Sequence, residues 1–161
     1  MKLHKACKIE LAASQDVSRN AIAEPYLDVT HAKGTLVATD GRILAAIPVE
    51  IETADDAGFV SENVLKAARK TADRAGEMKL TLNGAANLSD GATMPRLGVV
   101  AAGSQFPNWR QVIPDIPEKP AMTITLDAKR LWLLAQAMGT QAVKLVITEP
   151  TKPVHVLPAF A

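Results

Sequence analysis

ATDGRILA, running from Ala38 to Ala45, is the stretch from which the fold of this chain is best read. An Asp-Gly step between apolar stretches is a strong short-range hairpin signal, because glycine reaches positive φ without a steric penalty. Aspartate before such a glycine normally serves the turn by bonding nearby backbone, which gives Asp40 a structural task ahead of a chemical one. On the N-terminal side the chain reads YLDVT from Tyr26, a turn at His31-Ala32-Lys33-Gly34, and then TLVATD. On the other side it reads ILAAIPVEIE, ending at Glu52. Residues 26–52 are therefore expected to form a meander, with Pro48 confining its last strand to an edge or a bulge.

Outward from the meander, further strands are expected at MKLTLNG (78–84) and RLGVVAAG (96–103), with Ser89-Asp90-Gly91 as turn chemistry between them. A final pair is expected at VKLVITE (143–149) and PVHVLP (153–158). The opening segment, through about Ala13, adds one more strand, and the polar run from Ser14 to Glu24 carries no clear assignment. Pro114, Pro117 and Pro120 mark a stiff crossing before the last helix.

Two helices stand out. The first is expected from Glu62 to about Arg74, behind an N-cap at Ser61. At about 100° per residue, Lys66, Arg69, Lys70 and Arg74 fall within an arc of roughly 140°, with Val64, Leu65, Ala68 and Ala72 opposite. That pattern gives one basic face and one core face. The second helix is expected from an N-cap at Asp127 to a C-terminal cap near Gly139. Leu131, Leu134, Ala135 and Met138 form its core stripe, Lys129 and Arg130 occupy its first turn, and Trp132 and Leu133 fall on the other side, as a subunit contact or as ordinary core packing.

With 161 residues and 48% hydrophobic content the chain can bury a core of one domain. Its 18 Lys and Arg balance 17 Asp and Glu, so any affinity for nucleic acid must come from local clustering. One cysteine, Cys7, excludes an internal disulfide framework and suits a reducing compartment. No apolar run approaches the ~18 residues of a membrane span, and MKLHKACKIEL interleaves charge too early for a signal peptide, so a cytoplasmic location and no membrane partner are expected. His4 and Cys7 are three apart, but His31 and His155 follow no ligand spacing. There is no GxSxG, phosphate-cradling glycine loop or paired His-Glu constellation. The expectation is a protein that is not an enzyme, with no catalytic residue, metal or cofactor.

ATDGRILA and a second segment, FPNWRQVIP from Phe106 to Pro114, together resemble the paired signature of the bacterial sliding clamps, the beta subunits of DNA polymerase III that act as processivity factors. Clamp domains carry an ATDGHRLA-like turn and an FPDYRRVLP-like segment. The resemblance implies an α+β, DNA-clamp-like fold, with antiparallel sheets and two helices on one face. It also implies an apolar pocket that docks short peptides of polymerases and loaders. Carried over by motif, that pocket would take Thr39, Gly41, Arg42 and Leu44 from the turn, Pro107 and Val112 from the second segment, and Val156, Leu157, Pro158 and Phe160 from the end of the chain. The turn Glu149-Pro150-Thr151-Lys152 would flank it. By the same resemblance, Lys66, Arg69, Lys70, Arg74, Lys129 and Arg130 would meet the phosphates of double-stranded DNA without reading sequence.

The chain departs from the pattern at Arg42-Ile43, where clamps have His-Arg, and at Gln111, where they have arginine. A clamp subunit has three domains, whereas this chain has room for one pair of helices. Residues 1–161 are thus expected to form a single clamp-like domain, possibly permuted, in which 26–114 resembles part of a middle clamp domain and 121–161 the closing half of the last. Such a chain would encircle DNA only as a homo-oligomer of six copies. The alternative is a monomeric or dimeric module that binds clamp-partner peptides without encircling DNA.

Overall fold

The computed structural model describes residues 1–30, 33–113, 118, 122–149 and 152–159. The chain is α+β, with antiparallel sheets and two α-helices. It divides into two compact units, Met1–Val112 and Ile113–Ala161.

The first unit runs through β1 (Lys2–His4), β2 (Tyr26–Thr30), β3 (Lys33–Thr39), β4 (Leu44–Val49), β5 (Gly58–Phe59), helix α1 (Glu62–Lys70), β6 (Glu77–Asn83), β7 (Ala85–Leu88) and β8 (Thr93–Pro95). These strands make two four-stranded sheets, in the orders β4-β3-β2-β5 and β1-β6-β7-β8. The expected meander is present: Tyr26 faces Val37 across β2 and β3, and Thr39 faces Leu44 across β3 and β4. Pro48 lies on β4, an edge strand, as a residue without a backbone donor requires.

One core serves both sheets and α1. Leu27, Leu36 and Ala38 enter it from one sheet, and Met78, Leu80, Leu82, Ala86 and Leu88 from the other. Strand β6 alternates buried and more exposed positions along its length, the two-residue period of a strand with one covered face. Helix α1 adds Val64, Leu65 and Ala68 and packs on β6 and β7. Its start is fixed as the sequence predicts, the Ser61 hydroxyl accepting from the Val64 N–H at 3.3 Å. Its end comes a turn early, at Lys70. The Thr71 hydroxyl donates to the Ala68 carbonyl, and the Asp73 carboxylate accepts the Glu77 N–H, drawing the chain into a turn before Arg74 can join the helix.

Residues 96–103 do not form the expected strand. The partners of β6 and β7 are β1 and β8, and the Ser89-Asp90-Gly91 turn joins β7 to β8. After β8 the chain is held by one backbone bond, from the Ser61 N–H to the Arg96 carbonyl at 2.8 Å, and by side chains, and not by a ladder. Buried Arg96 donates through Nε to the Phe59 carbonyl at 2.7 Å and through Nη2 to the Gly58 carbonyl at 2.8 Å. Buried Glu24 accepts the N–H groups of Gly98 and Val99. The opening strand is also shorter than expected: β1 stops at His4, and Ile9–Ala12 is a 3₁₀ turn.

The second unit contains helix α2 (Ala128–Ala137) and a hairpin of β9 (Val143–Val146) with β10 (His155–Pro158), where Val156 faces Leu145 and Pro158 faces Val143. The Asp127 carboxylate accepts the Lys129 N–H at 2.9 Å and the Arg130 N–H at 3.3 Å, so both ends of α2 match the sequence, Gly139 following it at φ +65°. The expected core stripe does not: Leu131, Ala135 and Met138 are half-buried and Leu134 is exposed, with no residue of α2 fully buried. One hairpin and one short helix offer too little surface to cover an apolar helix face. Trp132 and Leu133 are exposed and do not pack in a core. Among the described residues no helix is long and apolar enough to cross a membrane.

Candidate peptide-docking groove

The loop from Asp40 to Ile43 is built by its own side chains. The Asp40 Oδ1 atom accepts the N–H groups of Arg42 and Ile43, both at 2.8 Å, and these bonds hold its carboxyl below the usual carboxylate range. The Thr39 hydroxyl donates to the Ile43 carbonyl at 2.6 Å and accepts the Gly41 N–H at 3.0 Å. Gly41 sits at φ +89°, and a Cβ there would lie 2.6 Å from the Arg19 guanidinium, so both conformation and space favour glycine. Arg19 in turn donates to the Asp40 carbonyl at 2.7 Å, tying the loop to the polar run that precedes β2.

Facing this loop is the second motif. Residues Trp109–Val112 form a 3₁₀ turn, and Phe106 stacks on Tyr26 with ring centroids 5.2 Å apart and planes 19° from parallel. Between the two motifs lies a groove of about 440 Å³. The first motif lines it with Thr39, Gly41, Arg42, Ile43 and Leu44, the second with Phe106, Pro107, Asn108, Trp109 and Val112, and Arg19 and Ile22 complete the lining. Ile22 is buried, whereas Ile43 and Val112 are exposed. A groove of this make-up can bury bulky apolar side chains, with two exposed guanidinium groups, Arg19 and Arg42, at its border to meet a carboxylate.

The structure thus brings together the six groove residues that the sequence takes from the first unit: Thr39, Gly41, Arg42, Leu44, Pro107 and Val112. The Thr39 hydroxyl shapes the loop and is not a free contact at the rim. Val156, Leu157 and Pro158 lie on β10 of the second unit. Phe160 lies outside the described residues, as do Pro150 and Thr151 of the flanking turn, while Glu149 and Lys152 of that turn pair at 3.6 Å. Sequence reasoning missed Arg19, Ile22, Ile43, Phe106, Asn108 and Trp109. An available signal was the aromatic pair Phe106 and Trp109, three apart.

The basic face of α1 is narrower than its helical pattern predicts. Arg69 turns inward, donating to the Cys7 carbonyl at 2.9 Å and pairing with buried Glu10 at 2.5 Å. Lys66 pairs with Glu62 at 2.7 Å across one helical turn. Arg74 lies beyond the helix end. Lys70, Arg74, Lys129 and Arg130 are exposed, Arg130 pairing with Asp127 at 3.4 Å. His4 and Cys7 line a shallow surface hollow with Glu50 and Glu77, but among the described residues no group of three or more His, Cys, Asp and Glu could hold a metal ion.

No protein-family model matches this chain, and neither a curated protein nor a solved structure matches it.

Proposed function

We propose that the protein is a clamp-like docking module that takes short linear peptides of replication proteins into the groove between its ATDGRILA loop and its FPNWRQVIP segment. The observation that carries this reading is convergence. Two motifs more than sixty residues apart, singled out in the sequence for a shared role, line the two walls of one apolar groove. Apolar burial supplies most of the affinity of such a site, and a few polar groups fix orientation. Here Arg42 and Arg19 would orient a peptide carboxylate. No step of bond chemistry is needed, so the reading is of a binder and not an enzyme.

The test is fluorescence anisotropy with labelled peptides from polymerase and clamp-loader subunits. Leu44→Asp puts an unpaired charge into the apolar wall and is expected to weaken binding by about tenfold or more. Equal affinity for the wild type and the variant, or no peptide bound by either, sinks the reading.

A second reading, contact with duplex DNA in a cytoplasmic replication setting, is favoured by the exposure of Lys70 and Arg74 without a carboxylate in ion-pair range among the described residues. It is the weaker of the two, since Arg69 and Lys66 are already paired.

A further inference from the structure

The groove wall from Phe106 to Val112 is held by little backbone hydrogen bonding. Among the described residues, no backbone bond ties it to a strand, and the bond that starts its 3₁₀ turn, from the Gln111 N–H to the Asn108 carbonyl at 3.3 Å, is local. None of Trp109–Val112 is buried. A segment so weakly tied should splay into water unless side chains fix it.

One side chain outside the groove has the geometry to do so. Asp28 projects from the middle of β2, with its side chain 14% exposed. Its Oδ2 atom accepts the indole N–H of Trp109 at 2.8 Å and also pairs with the Arg110 guanidinium, while Oδ1 accepts the Thr30 hydroxyl at 2.8 Å. The Arg110 guanidinium lies over the Trp109 ring, 4.5 Å from its centroid, so the two residues that reach for the carboxylate also brace each other. Burial pushes the Asp28 carboxyl up, but the bonds from Thr30, Trp109 and Arg110 outweigh it and hold the group below its ordinary value.

We infer that Asp28 is the positioning residue of the groove: by binding Trp109 and Arg110 together it fixes the Phe106–Val112 wall against β2 and so sets the width of the site without touching a ligand. The consequence for binding rests on the docking reading given above; the mechanical role does not. Trp109 is the group that shows both, since it lines the groove on one side and bonds Asp28 on the other.

The test uses the full chain with Trp132→Phe, which leaves Trp109 as its one tryptophan. Asp28→Asn is expected to move Trp109 emission to longer wavelength and to make it easier to quench with acrylamide, with thermal unfolding still cooperative. Arg110→Ala, at a side chain half exposed to water, is expected to act in the same direction and less strongly, and it serves if Asp28→Asn does not fold. Peptide affinity is expected to fall about tenfold in Asp28→Asn, the scale of a charge-assisted bond lost. Trp109 emission unchanged in both variants overturns the assignment. A wild-type protein that binds no peptide defeats the docking reading, and the emission of Trp109 then judges Asp28 by itself.

Discussion

Asp28, Asp40 and Asp55 each carry a negative charge that the folded chain solvates better than water does. For Asp55 burial raises the pKa, but the Met1 amine at 2.5 Å and the N–H groups of Glu52 and Leu82, both at 2.8 Å, outweigh it, so the folded value lies below the ordinary one. Asp40 is lowered by the Ile43 and Arg42 N–H groups, and Asp28 as described. A carboxyl whose folded pKa lies below its unfolded value contributes stability above the unfolded pKa, near 4, and loses it as pH falls through the folded one. The unfolding temperature is therefore expected to be flat above about pH 5 and to fall steadily below about pH 4. In Asp55→Asn the protein should start less stable and lose less on acidification. An acid slope equal to that of the wild type would show that this carboxylate is not ionised by its surroundings. At this scale the sequence was partly legible. The Asp40-Gly41 step announced its own turn, and Ser61 and Asp127 announced their caps, because each acts on backbone within a few residues. Arg19, Asp28 and Arg69 act on groups that the fold alone brings near, and no local pattern marks them.

Among the elements, α1 shows how the same spacing can be right about burial and wrong about charge. Val64, Leu65 and Ala68 are buried as their period requires, because a core accepts any apolar side chain that faces it. Whether a basic residue opposite them stays free depends on carboxylates elsewhere, and Glu10 claims Arg69. The energies follow that division. Leu65→Ala is expected to destabilise the first unit by about 3 kcal/mol, Ser61→Ala by about 1 kcal/mol, and Lys70→Ala by no more than about 0.5 kcal/mol. Urea unfolding monitored by circular dichroism orders the three, and a loss at Lys70 equal to that at Leu65 would contradict the assigned faces. Residues 96–103 teach the converse. RLGVVAAG has the apolar content of a strand, but Arg96 and the partner Glu24 fix it as a strap. The hairpins at Tyr26–Val49 and Val143–Pro158 were legible because turn residues and strand content agreed.

For the whole molecule, the division into Met1–Val112 and Ile113–Ala161 places all the buried hydrophobic side chains of the described residues in the first unit. The second exposes Trp132, Leu133, Leu134 and Leu157. If the DNA reading holds and each chain stands for one clamp domain, a closed ring would need six copies and a head-to-tail interface. Light scattering behind a sizing column is expected to give a monomer or dimer if the groove acts as a free-standing module, and a mass near six chains if the DNA reading holds. In the latter case Lys70→Glu with Arg74→Glu should lower the salt slope of DNA binding by about two.

The rims of the two sheets limit the ways a guest can be held. Strand β5 has two residues, β1 and β8 have three, β8 ends in Pro95, and β4, beside the groove at Leu44, carries Pro48. None of these four rims offers a long unbroken row of backbone donors and acceptors, so the two sheets of the first unit are poor templates for one more strand. A peptide docked in the proposed groove would then be read by its lettering and not by its spine: two peptides with the same backbone and different side chains would be different ligands.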